Sequence, residues 1–235
     1  MNELLVTAMN SARQIMQAQA VNTNNLANVS TDGFKAEIAY LSDVEGDSVR
    51  SIADLQTGNP RTTGRSLDIS INGEGWIAIM GADGSESYSR RGDLKIDAFG
   101  QLSDGIGRSI MGNNGPIALP PFATVEIAVD GTISIQPLGQ GPNTMAVIDR
   151  IKLVLPDTSQ LKRGTDGLLS LPPGETIDAD ASVRILSGSL EGSNVNAVAE
   201  MVKMIDLSRR FEAQINLMQT AQENSAALSK IMSLN

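Results

Sequence analysis

Neither histidine nor cysteine occurs in the chain. Without imidazole, the commonest general base and neutral metal ligand are missing, together with every catalytic triad that relies on them. Without thiol there is no disulfide, no thiolate metal centre and no cysteine nucleophile. Aromatics make up only 3% of 235 residues, so the core is expected to rest on Ile, Leu, Val, Ala and Met. A surface that stacks sugars on rings would have only Phe34, Tyr40, Trp76, Tyr88, Phe99, Phe122 and Phe211 to draw on. Positive charge is in deficit, with 18 Lys and Arg against 27 Asp and Glu and a net charge of −9, which opposes nucleic acid and anionic membrane surfaces as partners. No apolar run reaches the roughly eighteen residues of a membrane span, and the N-terminus has no basic, apolar or cleavage region of a secretory signal. Neither membrane insertion nor ordinary secretion is expected.

What the chain does have is a long stretch without Gly or Pro at each end. From Asn194 to Leu234 helix formers fill the interior, Asn194 is placed to cap the start, and Met201, Met204, Phe211, Ile215, Met218 and Met232 form a heptad-like seam with polar interruptions. Such a helix is about 60 Å long at 1.5 Å per residue and is marginal in water unless its stripe is buried. Residues 4 to 28 repeat the style, with Leu5, Ala8, Ala12, Ile15, Gln19, Asn22 and Leu26 stepping along one face. Seven of the ten methionines lie in these two segments or, as Met1, just ahead of the first, and their flexible side chains suit an adaptable seam that both helices share. The first helix runs out in Asn24-Asn25-Leu26-Ala27-Asn28 and Gly33-Phe34, a stop followed by an aromatic anchor.

Between the ends the pattern changes twice. Residues 35–65 are polar and rich in breakers, which predicts an extended connector. Residues 66–187 show short apolar runs between turns. Ile69-Ser70-Ile71 reaches an Asn72-Gly73 turn, Trp76 to Met80 is apolar on both faces, and Val125, Ile127 and Val129 alternate before Asp130-Gly131 and Thr132 to Ile135. Further strands are expected at 151–155 and 183–186, and Pro116, Pro120 and Pro121 mark an edge or loop. The fold class is therefore α+β: a discontinuous coiled-coil domain made of residues 1–34 and 188–235, with an all-β domain, sandwich or barrel-like, inserted between them.

Motifs that could carry chemistry are weak. Asp43, Glu45 and Asp47 could hold an acid and base for glycoside cleavage, but a solvated acidic loop explains them. Gly73-Glu74-Gly75 and Gly105-Ile106-Gly107 do not continue into a phosphate loop, and the Asp-Gly pairs at Asp83, Asp104, Asp130 and Asp166 lack the spacing of calcium repeats. No catalytic, metal or cofactor-binding residue is assigned, and no cofactor is expected.

The segment from Ala20 to Ala36, with Asn24-Asn25-Leu26-Ala27-Asn28 followed by Ser30-Thr31-Asp32-Gly33-Phe34-Lys35, resembles the N-terminal signature of the bacterial flagellar rod and hook proteins. Gly188-Ser189-Leu190-Glu191-Gly192-Ser193-Asn194-Val195-Asn196, leading into Glu200-Met201-Val202, resembles the other half of that signature. Ser208-Arg209-Arg210-Phe211-Glu212 and the chain length are nearer the proximal rod type, whereas Asn28-Val29-Ser30-Thr31 is nearer the distal type.

The resemblance implies a structural subunit of the flagellar basal-body rod where it crosses the periplasm. Its partners would be copies of itself, other rod proteins and, during secretion without a cleaved signal peptide, the flagellar export apparatus. The terminal helices would pack into a helical tube that transmits torque and surrounds the export channel. Stripes and signature together give the expected assembly interface: Leu5, Ala12, Ile15, Asn24, Asn25, Leu26, Ala27, Asn28, Gly33, Phe34, Asn194, Met201, Met204, Phe211, Ile215, Met218 and Met232. Two other readings compete with it. A soluble ligand- or carbohydrate-binding β module with coiled-coil ends would need exposed aromatics, and a carboxylate hydrolase would need a substrate that nothing in the sequence names.

Overall fold

A computed structural model describes residues 2–42, 48–139, 144–158, 160–164, 166–172 and 174–232; the side chains at 2–4, 41–42, 48–50 and 225–232 fall outside that description. The chain is α+β, with helix α1 (Asn2–Ala27) at one end, helix α2 (Ala197–Met232) at the other and strands between them. It divides into two compact units. One comprises Met1–Val29, Ala36–Asp54 and Val195–Asn235, the other Ser30–Lys35 and Leu55–Asn194.

In the first unit α1 packs against α2. The face of α1 that steps through Leu5, Ala8, Ala12, Ile15, Gln19, Asn22 and Leu26 is the buried one, with Ala8 and Ala12 small enough to let the backbones approach. The seam is not purely apolar: Asn22 Nδ2 donates to the main-chain oxygen of Glu200 (3.0 Å) and to the Glu200 carboxylate. Over its 36 described residues, about 54 Å, α2 starts later than the sequence suggests. The reason lies in its cap. Asn196, not Asn194, closes the first turn, because its Oδ1 accepts from the backbone N–H groups of Val198 (3.0 Å) and Ala199 (3.1 Å). Those are the second and third helical donors, which a cap must reach. Asn194 lies in the other unit, where its Nδ2 donates to Gln56 O (3.2 Å).

The first unit also contains a hairpin of strands Glu37–Ser42 and Ser48–Ala53, in register Ile38 with Ile52 and Tyr40 with Arg50. It packs on α1. The acidic trio Asp43, Glu45 and Asp47 lies outside the described residues.

The second unit is β-rich. Strand Trp76–Met80 is buried along almost its whole length and lies between Leu153–Val154 and Glu86–Ser89, in a sheet continued by Leu169–Ser170 and Lys162–Arg163. Strands Phe122–Ile127 and Thr132–Pro137 form the hairpin that the Asp-Gly pair predicts, with Val125 opposite Ile135 and Ile127 opposite Ile133, all four buried. Val129 belongs to the turn and is exposed. The strand expected over 183–186 is Arg184–Ser187, paired with Ile69–Asn72. The core is aliphatic, led by Ile69, Ile77, Ile79, Leu102, Ile133 and Ile151. Methionine was expected to contribute, yet none of the buried core side chains among the described residues is a methionine. Stiff β-branched side chains fill a pleated surface better than flexible ones.

The two units differ sharply in what they bury. None of the described α2 side chains is fully buried, whereas the second unit holds a continuous aliphatic core. During urea unfolding, far-UV circular dichroism, dominated by the helices, is therefore expected to change at lower denaturant than the emission of Trp76, the sole tryptophan. Coincident transitions would show one cooperative unit instead.

Candidate functional site

The two signature runs occupy two different sites, one in each unit. In the helical unit the Asn-rich run ends α1. Asn25 is buried, and its side chain grips Glu37 twice: Nδ2 donates to Glu37 O (2.8 Å), and Glu37 N donates to Asn25 Oδ1 (2.7 Å). A primary amide carries both the donor and the acceptor that this two-way grip on one residue's backbone needs. Asn28 turns back on the helix, donating through Nδ2 to Asn24 O (2.9 Å), while Asn24 and Ala27 are exposed and Leu26 is half-buried. Asn25→Ala takes this partner from the half-buried N–H and C=O of Glu37. It is expected to cost about 1–3 kcal/mol, read as loss of hydrogen-exchange protection across the hairpin of residues 37–53.

In the β-rich unit the rest of both runs meets at one buried carboxylate. Glu191 is 3% exposed. Its Oε1 accepts from Lys35 Nζ (2.6 Å) and Gly58 N (2.9 Å), and its Oε2 accepts from Arg90 Nη1 (2.9 Å). Its main-chain oxygen accepts from Gly33 N (2.7 Å). Lys35 is 4% and Arg90 3% exposed, and each has a second acceptor, Gln56 O (2.6 Å) and Gly73 O (2.8 Å) respectively. Both cations lie over the Trp76 ring, Arg90 at 5.1 Å and Lys35 at 5.9 Å from its centroid. Two buried cations thus share one carboxylate and one aromatic ring. Arg90 Nε is buried without a hydrogen-bond partner among the described residues.

Gly33 explains why a glycine stands in the run. Its φ is +70°, and a Cβ there would lie 2.5 Å from the backbone of Arg90 and Arg91. Phe34 is the expected anchor, its half-buried ring under the Arg163 guanidinium at 4.8 Å, and Arg163 Nη1 also donates to Lys35 O (2.8 Å).

The sequence-level residues therefore fall into separate places. Leu5, Ala12, Ile15, Met204, Phe211, Ile215 and Met218 lie half-buried or buried in the helical unit, on the faces where α1 and α2 pack. Met201 lies on the other face of α2, exposed with Val198, Val202 and Ile205. Met232 ends α2, and its side chain lies outside the described residues. Gly33, Phe34 and Asn194 belong to the β-rich unit. Sequence reasoning passed over Lys35, Trp76, Arg90 and Glu191. Lys35 and Glu191 stand inside the quoted runs, and a charged residue of each sign within two motifs is the signal that could have paired them.

The Asp-Gly pairs are local devices. Asp83 Oδ1 accepts from Ser85 N (3.0 Å), Asp104 Oδ1 from Arg108 N (2.8 Å), Asp130 Oδ1 from Thr132 N (3.1 Å) and Asp166 Oδ1 from Leu168 N (3.1 Å). Each carboxylate closes its own turn.

Residues 186–231 match the C-terminal model of flagellar basal body rod FlgEFG proteins, and residues 70–135 match the D1 domain of flagellar hook proteins FlgE/F/G. Over the full length of both chains the sequence is 40% identical to the flagellar basal-body rod protein FlgF of Escherichia coli K12 and 37% identical to that of Salmonella typhimurium LT2. It is 30% identical to FlgG of Buchnera aphidicola from Acyrthosiphon pisum, over 92% of this chain and 96% of the relative. The charged centre joining Gly33 and Lys35 to Glu191 is thus built from residues of the resemblance itself, and the chain belongs to the flagellar basal-body rod protein family, nearer these FlgF relatives than the FlgG one.

Proposed function

We propose that this structural rod subunit, which is not an enzyme, builds the proximal rod with its terminal helices. α1 and α2 of one copy lie beside those of neighbouring copies and of other rod proteins, as a coiled-coil tube around the export channel. The hairpin within residues 35–65, expected to be an extended connector, belongs instead to the helical unit, and residues 66–187 supply the β domain. The subunit reaches its place through the flagellar export apparatus without a cleaved signal peptide.

The observation that carries this reading is a second apolar stripe. After α1 and α2 have packed, Val6, Met9 and Met16 on α1 and Val198, Met201, Val202 and Ile205 on α2 are still exposed. Residues three, four and seven apart share a helix face, and an apolar face left in water is a surface to bury. Heterologous contacts that do not close generate a helical assembly, and many weak contacts in parallel transmit torque where a single bond would fail.

Deleting the gene in its host tests the proposal. Loss of swimming with a truncated or absent rod in purified basal bodies is expected; complete basal bodies in a swimming strain would overturn it.

A further inference from the structure

We propose that Asn114 is a site of spontaneous covalent modification, converting through a cyclic imide to aspartate and isoaspartate, and that the fold selects it over Asn72. The chain contains two Asn-Gly steps, Asn72-Gly73 and Asn114-Gly115. In each, the deprotonated backbone nitrogen of the glycine can attack the asparagine side-chain carbon. A new C–N bond forms, the Cγ–Nδ2 bond breaks and ammonia leaves. Water then opens the five-membered imide at either carbonyl, giving a side-chain carboxylate or a main chain rerouted through Cγ. No oxidant or cofactor enters, and the chain gains one negative charge.

Both asparagines are exposed, so access does not separate them. Backbone freedom does, because the glycine nitrogen must swing toward Cγ. Asn72 ends strand Ile69–Asn72 in register with Arg184. The next residue, Gly73, is pinned through its carbonyl by the buried Arg90 (2.8 Å), which Glu191 holds in turn.

Asn113 and Asn114 instead form the two-residue tip of a short ladder, Gly115 with Gly112 and Pro116 with Met111. Pro116 has no N–H to give that ladder. Gly112 is tied on its far side by a bridge to Ile151, so opening falls on the 114–116 side. A side chain at either glycine would meet nothing within 4 Å, so packing does not separate the two and the hold on the Gly73 carbonyl does. Among the described residues neither asparagine has a side-chain hydrogen bond, so the difference rests on the backbone.

The test holds the purified full-length chain at mildly alkaline pH, folded and in urea. Tryptic peptides 66–90 and 109–150 are then followed by mass spectrometry with fragment assignment and isoaspartyl methyltransferase labelling. In the folded chain, product is expected to build up at Asn114 several-fold faster than at Asn72, and in urea the two rates are expected to converge. Asn114→Gln removes that product and leaves Trp76 emission and the slow reaction at Asn72 unchanged. Equal rates in the folded chain, a faster Asn72, no folded-state product at Asn114, or a rate ratio that persists in urea would each overturn the proposal.

Discussion

Glu191→Ala is expected to destabilise the β-rich unit by about 3–5 kcal/mol, the usual cost of leaving a buried charge without its partner. Two cations, Lys35 and Arg90, lose their shared counter-charge, and Gly58 N loses its acceptor. The result is read in the Trp76 emission during urea unfolding, because both cations lie against that ring. The exposed pair between Arg61 and Asp32, at 3.3 Å with Arg61 67% exposed, provides the contrast. Arg61→Ala should cost between 0 and about 1 kcal/mol, since an exposed pair is screened and pays side-chain entropy to form. Replacing Lys35, Arg90 and Glu191 together by apolar residues of similar size should recover much of the loss, because no charge is then left to desolvate. A Glu191→Ala chain as stable as the parent would show that the centre contributes nothing to the fold.

That centre also marks where the sequence stopped being readable. Period is a local property, so the helices, the hairpin around Asp130-Gly131 and the buried strand at Trp76 follow from spacing and turn residues alone. The stripe through Leu5, Ala8 and Ala12 was legible for the same reason. The α2 cap was misplaced by two residues because Asn194 and Asn196 are equal candidates until backbone geometry decides which oxygen reaches Val198 and Ala199. The ion cluster was not legible at all. Lys35 and Glu191 are 156 residues apart and Arg90 and Glu191 are 101 apart, and no periodicity links positions at such distance. The same holds for Asn25, whose partner is the backbone of Glu37, a group every residue carries. Met201 fits the seam by spacing, yet it stands on the outer stripe, because two apolar stripes on one helix cannot be told apart until one of them meets α1.

The two stripes allow folding and assembly to be separated. Phe211 is half-buried on the face of α2 that packs toward α1. Phe211→Asp removes a large apolar side chain from the seam and puts a charge there, at about 2–3 kcal/mol, so the purified monomer should lose helical signal and the strain should not swim. Val202 lies on the outer stripe, 62% exposed. Val202→Asp changes a side chain that is mostly in water and should alter the monomer's stability by about 0.5 kcal/mol or less, with circular dichroism and Trp76 emission unchanged. If the outer stripe is buried between subunits, that strain should nevertheless fail to swim, because each copy added to the rod would bury an unpaired carboxylate. The pair of variants therefore gives the same motility defect with opposite monomer spectra. A swimming Val202→Asp strain with complete rods would show that the outer stripe stays in water, and the assembly surface would then have to lie elsewhere on the subunit.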